Sequence, residues 1–318
     1  MSIITQNIDA AIARLRNADI VAIPTETVYG LAGNADNETA IKKIFALKNR
    51  PLNHPLIMHI AKNCDLTKWA VSIPDYAETL MSQFWPGPLT LVFHCKPDSV
   101  SPLITGGQTT IAIRCPQHPV AQSLLSALDF PLVAPSANPF GKISPTTAAH
   151  VQHSFQKESL LILDGGRCNV GIESTIVAAT NPEGYQILRH GMVDEHALHV
   201  LLPNKQLINT STIRVPGKLN THYQPEKPLY CFENKEQLIQ FCELNTKAYV
   251  LSFNKNHELN NNEGYQLPDN PQDLAYELYY QLRRADQSSA TMIAIELPPN
   301  EEAWEGVRER ILKASTWA

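Results

Sequence analysis

Ile20-Val-Ala-Ile-Pro24-Thr-Glu-Thr-Val-Tyr-Gly-Leu31 sets the reading of this 318-residue chain. Ile20–Ile23 is a short apolar run that stops at a proline, the form of a buried strand entering a turn. The turn is rich in hydroxyls, and Lys48-Asn-Arg-Pro51 arrives about a helix's length later. Between them Asn37 is a suitable N-cap, and Ile41, Ile44 and Leu47 recur at helical spacing. Strand, turn, helix and then paired cations suit a site for a phosphate-bearing substrate.

Outward from that segment, Ile8, Ile12 and Leu15 predict an amphipathic helix over 8–17. Apolar runs predict strands at 56–60, 89–93, 110–114, 132–134, 160–164, 174–178 and 185–189. Helices are expected at 76–84, ended by Trp85-Pro-Gly-Pro88, and at 119–128. Helices alternating with short strands imply an α/β sheet of mixed direction over residues 1–200. Residues 201–228 contain Pro203, Pro216, Pro225 and Pro228 and little helical pattern, which predicts an extended linker. Residues 229–318 then repeat strand and helix, with strands at 229–232, 248–253 and 291–297 and helices at 234–244, 271–285 and 303–315. This predicts a smaller, mainly parallel α/β domain. Asn260–Glu263 reads as a loop.

Composition narrows the function. Hydrophobic residues make up 43% and charged residues 18%, enough for a full core and against disorder. No apolar run approaches the ~18 residues of a membrane span, and the first ten residues have no basic region before an apolar one. A soluble, cytoplasmic protein is therefore expected. Residues 1–200 hold 14 Lys+Arg against 16 Asp+Glu, and residues 201–318 hold 12 against 15. Neither part carries the bulk positive charge of nonspecific nucleic-acid binding. The cations Lys48, Arg50, Arg114, Lys142 and Arg189 nevertheless fall inside unusual motifs, so a locally basic cleft for a small anion is expected. Cys64, Cys95, Cys115, Cys168, Cys231 and Cys242 show no zinc-like spacing and read as reduced thiols. P-loop, dinucleotide, nucleophile-elbow and His-Glu-x-x-His signatures are absent.

Each remaining motif has an ordinary structural reading as well. Lys48 and Arg50 would complement a helix dipole. Ser136-Ala-Asn138, with Gly141 and Ser144-Pro-Thr146, would serve as a turn and helix cap. Arg114 would sit in a buried ion pair, Thr27 and Ser174 would be turn hydroxyls, and His59 would be a core histidine.

Taken together, Pro24–Leu31, Lys48-x-Arg-Pro51 and Ser136-x-Asn138 resemble the YrdC-like family, the threonylcarbamoyl-AMP synthases. Pro216-Gly-Lys-Leu-Asn-Thr-His-Tyr-Gln-Pro225 is similar to a segment of the longer, two-domain members, so the resemblance covers essentially the whole chain. It implies a YrdC-like mixed twisted sheet around a basic cleft, with the linker strapping the active site. By that resemblance, Lys48 and Arg50 are the catalytic cations and hold ATP phosphates. His54, Thr110, Ser136, Asn138, Ser144, Arg189, His222 and Tyr223 complete the ATP site. Thr27, His59, Arg114, Ala134 and Ser174 face threonine, with Arg114 on its carboxylate.

The implied reaction joins L-threonine, bicarbonate or CO2, and ATP into threonylcarbamoyl-AMP with release of pyrophosphate. Mg2+ would be carried on the phosphates, and the product would pass to a tRNA threonylcarbamoyl transferase complex without direct tRNA binding by this chain. Departures from the family pattern are His54 where Asn is common, His190 where Pro is usual, and Ala178 where an acidic residue is frequent. Two rival expectations are an RNA-binding module using the same cleft without turnover, and a relative that makes a carbamoyl adenylate from carbamoyl phosphate without threonine.

Overall fold

The computed structural model describes residues 2–208, 212–217, 222–253 and 262–316. Eleven strands form one sheet: β1 (Ile3–Thr5), β2 (Val21–Ile23), β3 (Gly30–Asn34), β4 (Ile57–His59), β5 (Leu89–His94), β6 (Thr110–Arg114), β7 (Leu132–Val133), β8 (Leu161–Leu163), β9 (Thr175–Asn181), β10 (Gly184–Arg189) and β11 (Gln206–Leu207). Their spatial order is β1-β8-β2-β3-β7-β4-β6-β5-β9-β10-β11. β4 and β6 run parallel while β5 and β6 run antiparallel, so the sheet is mixed, as expected. Around it lie α1 (Ile8–Arg16), α2 (Glu38–Lys48), α3 (Asp75–Phe84), α4 (Pro102–Thr105), α5 (Pro119–Ser126), α6 (Ala148–Ser154) and α7 (Glu195–Leu201).

The opening segment is a hairpin rather than a lone strand with a turn. β2 returns as antiparallel β3, with Ile23 opposite Gly30, so residues 24–29 are its loop. α2 starts where Asn37 Oδ1 accepts from the Thr39 and Ala40 amides. It ends where Asn49 turns left-handed at φ 52° and swings Arg50 out of the helix. Two local side-chain choices thus fix where the cationic pair begins and how its members diverge.

The second sheet contains β12 (Leu229–Phe232), β13 (Ala248–Ser252), β14 (Gly264–Gln266) and β15 (Met292–Glu296), ordered β12-β15-β13-β14 with every pair parallel. α8 (Lys235–Leu244), α9 (Pro271–Gln287) and α10 (Glu305–Ala314) accompany it. α9 buries Leu274, Leu278, Tyr279 and Leu282 along one stripe. Among the described residues no helix is long and apolar enough to cross a membrane.

The region expected as an extended linker contributes β11, which pairs parallel with β10. β1, α4, α6, α7 and β14 were likewise not expected; none is longer than seven residues. Part of the expected loop Asn260–Glu263 lies outside the described residues.

Loops of the first domain pack into the core of the second. Val28, in the hairpin loop, packs in one cluster with Ile172, Tyr223, Leu274 and Leu278. A Cβ at Gly171 would collide with the Ala275 carbonyl of α9, so only glycine allows this approach. Arg167 lies 3.7 Å over the Tyr276 ring and pairs with Glu277 at 3.0 Å.

Candidate active site

The hairpin loop is rigid because one hydroxyl closes it. Thr25 Oγ1 donates to the Val28 carbonyl at 2.6 Å and accepts from the Thr27 and Val28 amides. Thr27 Oγ1 lies 2.9 Å from it, fully buried. Glu26, between them, receives Arg114 Nη2 at 2.7 Å and the Gln117 amide at 3.0 Å. Arg114 also donates from Nε to the Gly87 carbonyl, which leaves Nη1 for a ligand.

Lys48 and Arg50 are placed differently. Lys48 is buried, and its Nζ donates to the backbone carbonyls of Ser136 and Asn138. Burial, followed by repulsion from Arg50, holds its pKa well below the ordinary lysine value. Two of its three protons are committed, so it first props the 136–138 turn; it is not the free point charge its sequence position suggested. Arg50 is also buried, but unlike Lys48 it lines the cavity. Nη2 donates to the Pro55 carbonyl at 2.9 Å, its guanidinium lies 5.6 Å over Phe140, and Nε is buried without a partner. Burial lowers its pKa to about 10.

On the opposite wall Glu173 accepts from Ser144 Oγ at 2.6 Å, Tyr279 OH at 2.9 Å and Arg310 Nε at 2.9 Å. Burial alone would raise its pKa, but Arg310 and then Arg189 pull it down to about 2. Ser144 therefore faces Glu173. Ser174 Oγ lies 2.7 Å from Thr90 Oγ1 and accepts from Arg189 Nη2. Arg189 also reaches the Ser174 and Pro216 carbonyls, joining β10 to the strap.

These walls enclose an inner cavity lined by Thr27, Arg50, His59, Arg114, Ala134, Ser136, Ser174, Arg189, His222 and Tyr223, together with Thr25, Glu173 and Gly217. An outer chamber adjoins it, sharing Arg50, Gly217 and His222 and adding Asn53, His54, Phe140 and residues 212–215. Of the residues expected at the site, Lys48, Asn138 and Ser144 stand behind the lining. Thr110 does not reach it; it begins β6, opposite His94, whereas Arg114 ends that strand at the cavity.

His59 Nδ1 lies 3.1 Å from the Ile57 carbonyl, so Nδ1 carries the proton and Nε2 presents a lone pair. Burial and then Arg114 lower its pKa to about 3, and burial chiefly does the same for His222. His54 stacks edge-on against Phe140 at 5.1 Å. His190 pairs with Glu305 of α10 at 2.8 Å, which gives that departure from the family pattern a partner in the second domain.

Glu26, Thr25, Glu173, Tyr279 and Arg310 were not foreseen. Glu26 lies inside the opening motif and Glu173 stands next to Ser174, and acids flanked by hydroxyls in apolar surroundings were the available signal. Tyr279 and Arg310 sit in ordinary amphipathic helix sequence that offered none.

Comparison with known proteins identifies the family. Residues 13–191 match the Sua5/YciO/YrdC family model, described as telomere recombination, and residues 186–316 match that of the threonylcarbamoyl-AMP synthase C-terminal domain. The chain is 36% identical to the threonylcarbamoyl-AMP synthase of Bacillus subtilis, over 96% of this chain and 92% of the relative. It is 35% identical to that of Pyrococcus abyssi, over 95% and 92%. The crystal structure of P. abyssi Sua5 complexed with L-threonine superimposes with a TM-score of 0.88 at 33% identity, covering 99% of this chain and 97% of the other.

Proposed function

The chain belongs to the two-domain threonylcarbamoyl-AMP synthases of the Sua5/YciO/YrdC family, and from that premise we propose how its cleft works. The reaction joins L-threonine, bicarbonate or CO2, and ATP, giving L-threonylcarbamoyl-AMP and pyrophosphate. The carbamate on the threonine nitrogen attacks the α-phosphorus; the new P–O bond forms as the bond to pyrophosphate breaks. The relevant relative was crystallised with L-threonine, and the inner cavity has the fittings for that amino acid. Arg114 Nη1 takes the carboxylate, His59 Nε2 accepts from the nitrogen, and the Thr27 and Ser174 hydroxyls bracket the remainder.

ATP is assigned to the junction of the two chambers. One observation carries this: buried polar atoms without partners gather there. Among the described residues, nine side-chain atoms are in this state; Arg50 Nε, His222 Nδ1 and Tyr223 OH belong to residues lining the inner cavity, and Asn138 Oδ1 lies behind that lining. Each such group costs about 1–3 kcal/mol, and three around one cavity point to a missing polar ligand. Arg50 offers a planar fork to phosphate oxygens, Lys48 has one uncommitted proton for the same oxygens, and Phe140 with His54 supplies a flat apolar wall for the base. No group of three or more His, Cys, Asp or Glu side chains suited to a metal lies among the described residues. Mg2+ enters, in this reading, as part of the Mg-ATP substrate. Catalysis rests on positioning and charge stabilisation. The product then serves a transferase acting on tRNA, and this chain is assigned no tRNA contact of its own.

The test is pyrophosphate release from Mg-ATP with threonine and bicarbonate omitted in turn. Release that requires both is expected. Release without threonine would instead indicate the carbamoyl-phosphate type of chemistry, and none at all would leave a binding module.

A further inference from the structure

Gly217, His222 and Tyr223 all line the inner cavity. One residue of the second domain holds both Gly217 and His222. Lys313, near the end of α10, donates from Nζ to the Gly217 carbonyl at 2.6 Å. Its own backbone carbonyl accepts from the His222 amide at 2.9 Å. Glu309, one turn earlier, pairs with the same ammonium and fixes its direction. Arg310, on the intervening turn, lies 5.3 Å from the Tyr223 ring and holds Glu173. Tyr223 itself is at φ 63°, a strained conformation for a tyrosine that persists only when its surroundings over-determine it.

Nothing in the reaction needs an ammonium at Lys313. It is 17% exposed at the rim, does not line either chamber, and its charge is already neutralised by Glu309. What it does is hold Gly217 and His222 in place where both line the cavities beside Arg50. We infer that Lys313 is a positioning residue for the nucleotide: through Gly217 and His222 it makes the second domain part of the ATP site, while leaving the threonine site to the first. This rests on the assignment of ATP to the chamber junction. The side-chain hydrogen bonds of Arg114, Glu26, Thr27 and His59 go to first-domain residues, Gly87, Gln117, Thr25 and Ile57 among them.

The test uses the full-length chain with Lys313→Met, which keeps the aliphatic stem and backbone carbonyl but loses the Nζ bond, and Lys313→Arg as rescue. Titration calorimetry with a nonhydrolysable ATP analogue plus Mg2+, and separately with L-threonine, reads the two sites. Lys313→Met should weaken the nucleotide roughly tenfold, as loss of one charge-assisted hydrogen bond would, with threonine affinity within twofold of the parent. Lys313→Arg should recover most of the loss. Steady-state kinetics should show the same split, a raised KM for ATP at unchanged KM for threonine. Equal weakening of both ligands would mean a general loosening of the fold and would overturn the inference. So would unchanged nucleotide affinity in a variant whose parent binds the analogue. A parent that binds no nucleotide would instead sink the ATP assignment, and this inference with it.

Discussion

Arg310 Nε lies 2.9 Å from Glu173 Oε2 although the two residues are 137 positions apart and stand on different sheets' elements. Both are buried, and the carboxylate also holds Ser144 and Tyr279. The pair therefore joins the domains by a contact that neither can abandon cheaply. Removing one member leaves a buried charge uncompensated, which costs about 3–5 kcal/mol. Arg310→Met should lower the urea midpoint accordingly, whereas the double variant Arg310→Met/Glu173→Gln should recover part of the loss. Additive losses in the double variant would contradict the pairing.

Acid should attack the same place. The Glu173 carboxyl is held at about 2 against an ordinary 4.5, against burial, by Arg310 and Arg189. With the folded pKa below the unfolded one, the contribution is complete above pH ~4.5 and is lost as pH falls toward 2, on the order of 3 kcal/mol in all. Glu173→Gln starts lower at neutral pH but should have a flatter stability profile between pH 5 and 3. Parallel profiles would count against this assignment.

His222 carries the second acid sensitivity. Burial chiefly, with Lys48, Arg50 and Arg189 adding to it and Glu173 opposing, lowers its pKa to about 3. The unfolded chain takes up the proton first, near pH 6.5, so stability falls as pH drops below that value. At pH 5 the loss from this site should be about 2 kcal/mol relative to pH 7. His222→Gln should lack it, and in the parent the imidazole resonances of His222 should not titrate between pH 5 and 8. A resonance midpoint near 6.5 would refute the buried neutral state.

Arg50→Ala should reduce kcat/KM for ATP by tens to several hundredfold, on the order of 2–4 kcal/mol of transition-state stabilisation. Arg50→Lys should recover only part, because a point charge cannot hold two oxygens at once. An Arg50→Ala enzyme with unchanged kcat/KM for ATP would remove the phosphate role.

Arg114→Lys separates the other substrate. Loss of the fork should raise KM for threonine about tenfold to a hundredfold and leave KM for ATP alone. Glu26 keeps the lysine oriented, so the fold should survive; a matching rise in both constants would argue for a structural role only.

Local chemistry was legible in the sequence and distant pairing was not. Asn37 could be read as an N-cap because its partners, Thr39 and Ala40, are two and three residues away. Apolar runs such as Leu89–Phe93 declared their strands, since burial on both faces needs no partner to be named. β3 escaped because Gly30 and Gly33 dilute its apolar pattern. Lys48 was recognised as a site residue but not as a prop, because the carbonyls it holds arrive 88 and 90 residues later. Arg310 lay wholly out of reach for the same reason. A charge on a helix face looks the same whether it meets water or a buried acid.

The strap is pinned to the large sheet by the β10–β11 pairing at Leu207 and again, beyond the cavity, by the Gln224 amide on the Gly141 carbonyl. Between those pins the described residues are tied from both domains: Arg214 holds the Asn53 and Gly106 carbonyls, Arg189 holds the Pro216 carbonyl, and Lys313 holds Gly217 and His222. Opening the cavity on this side means releasing several such ties together, so the departure rate of product should answer to residues far from any atom that reacts.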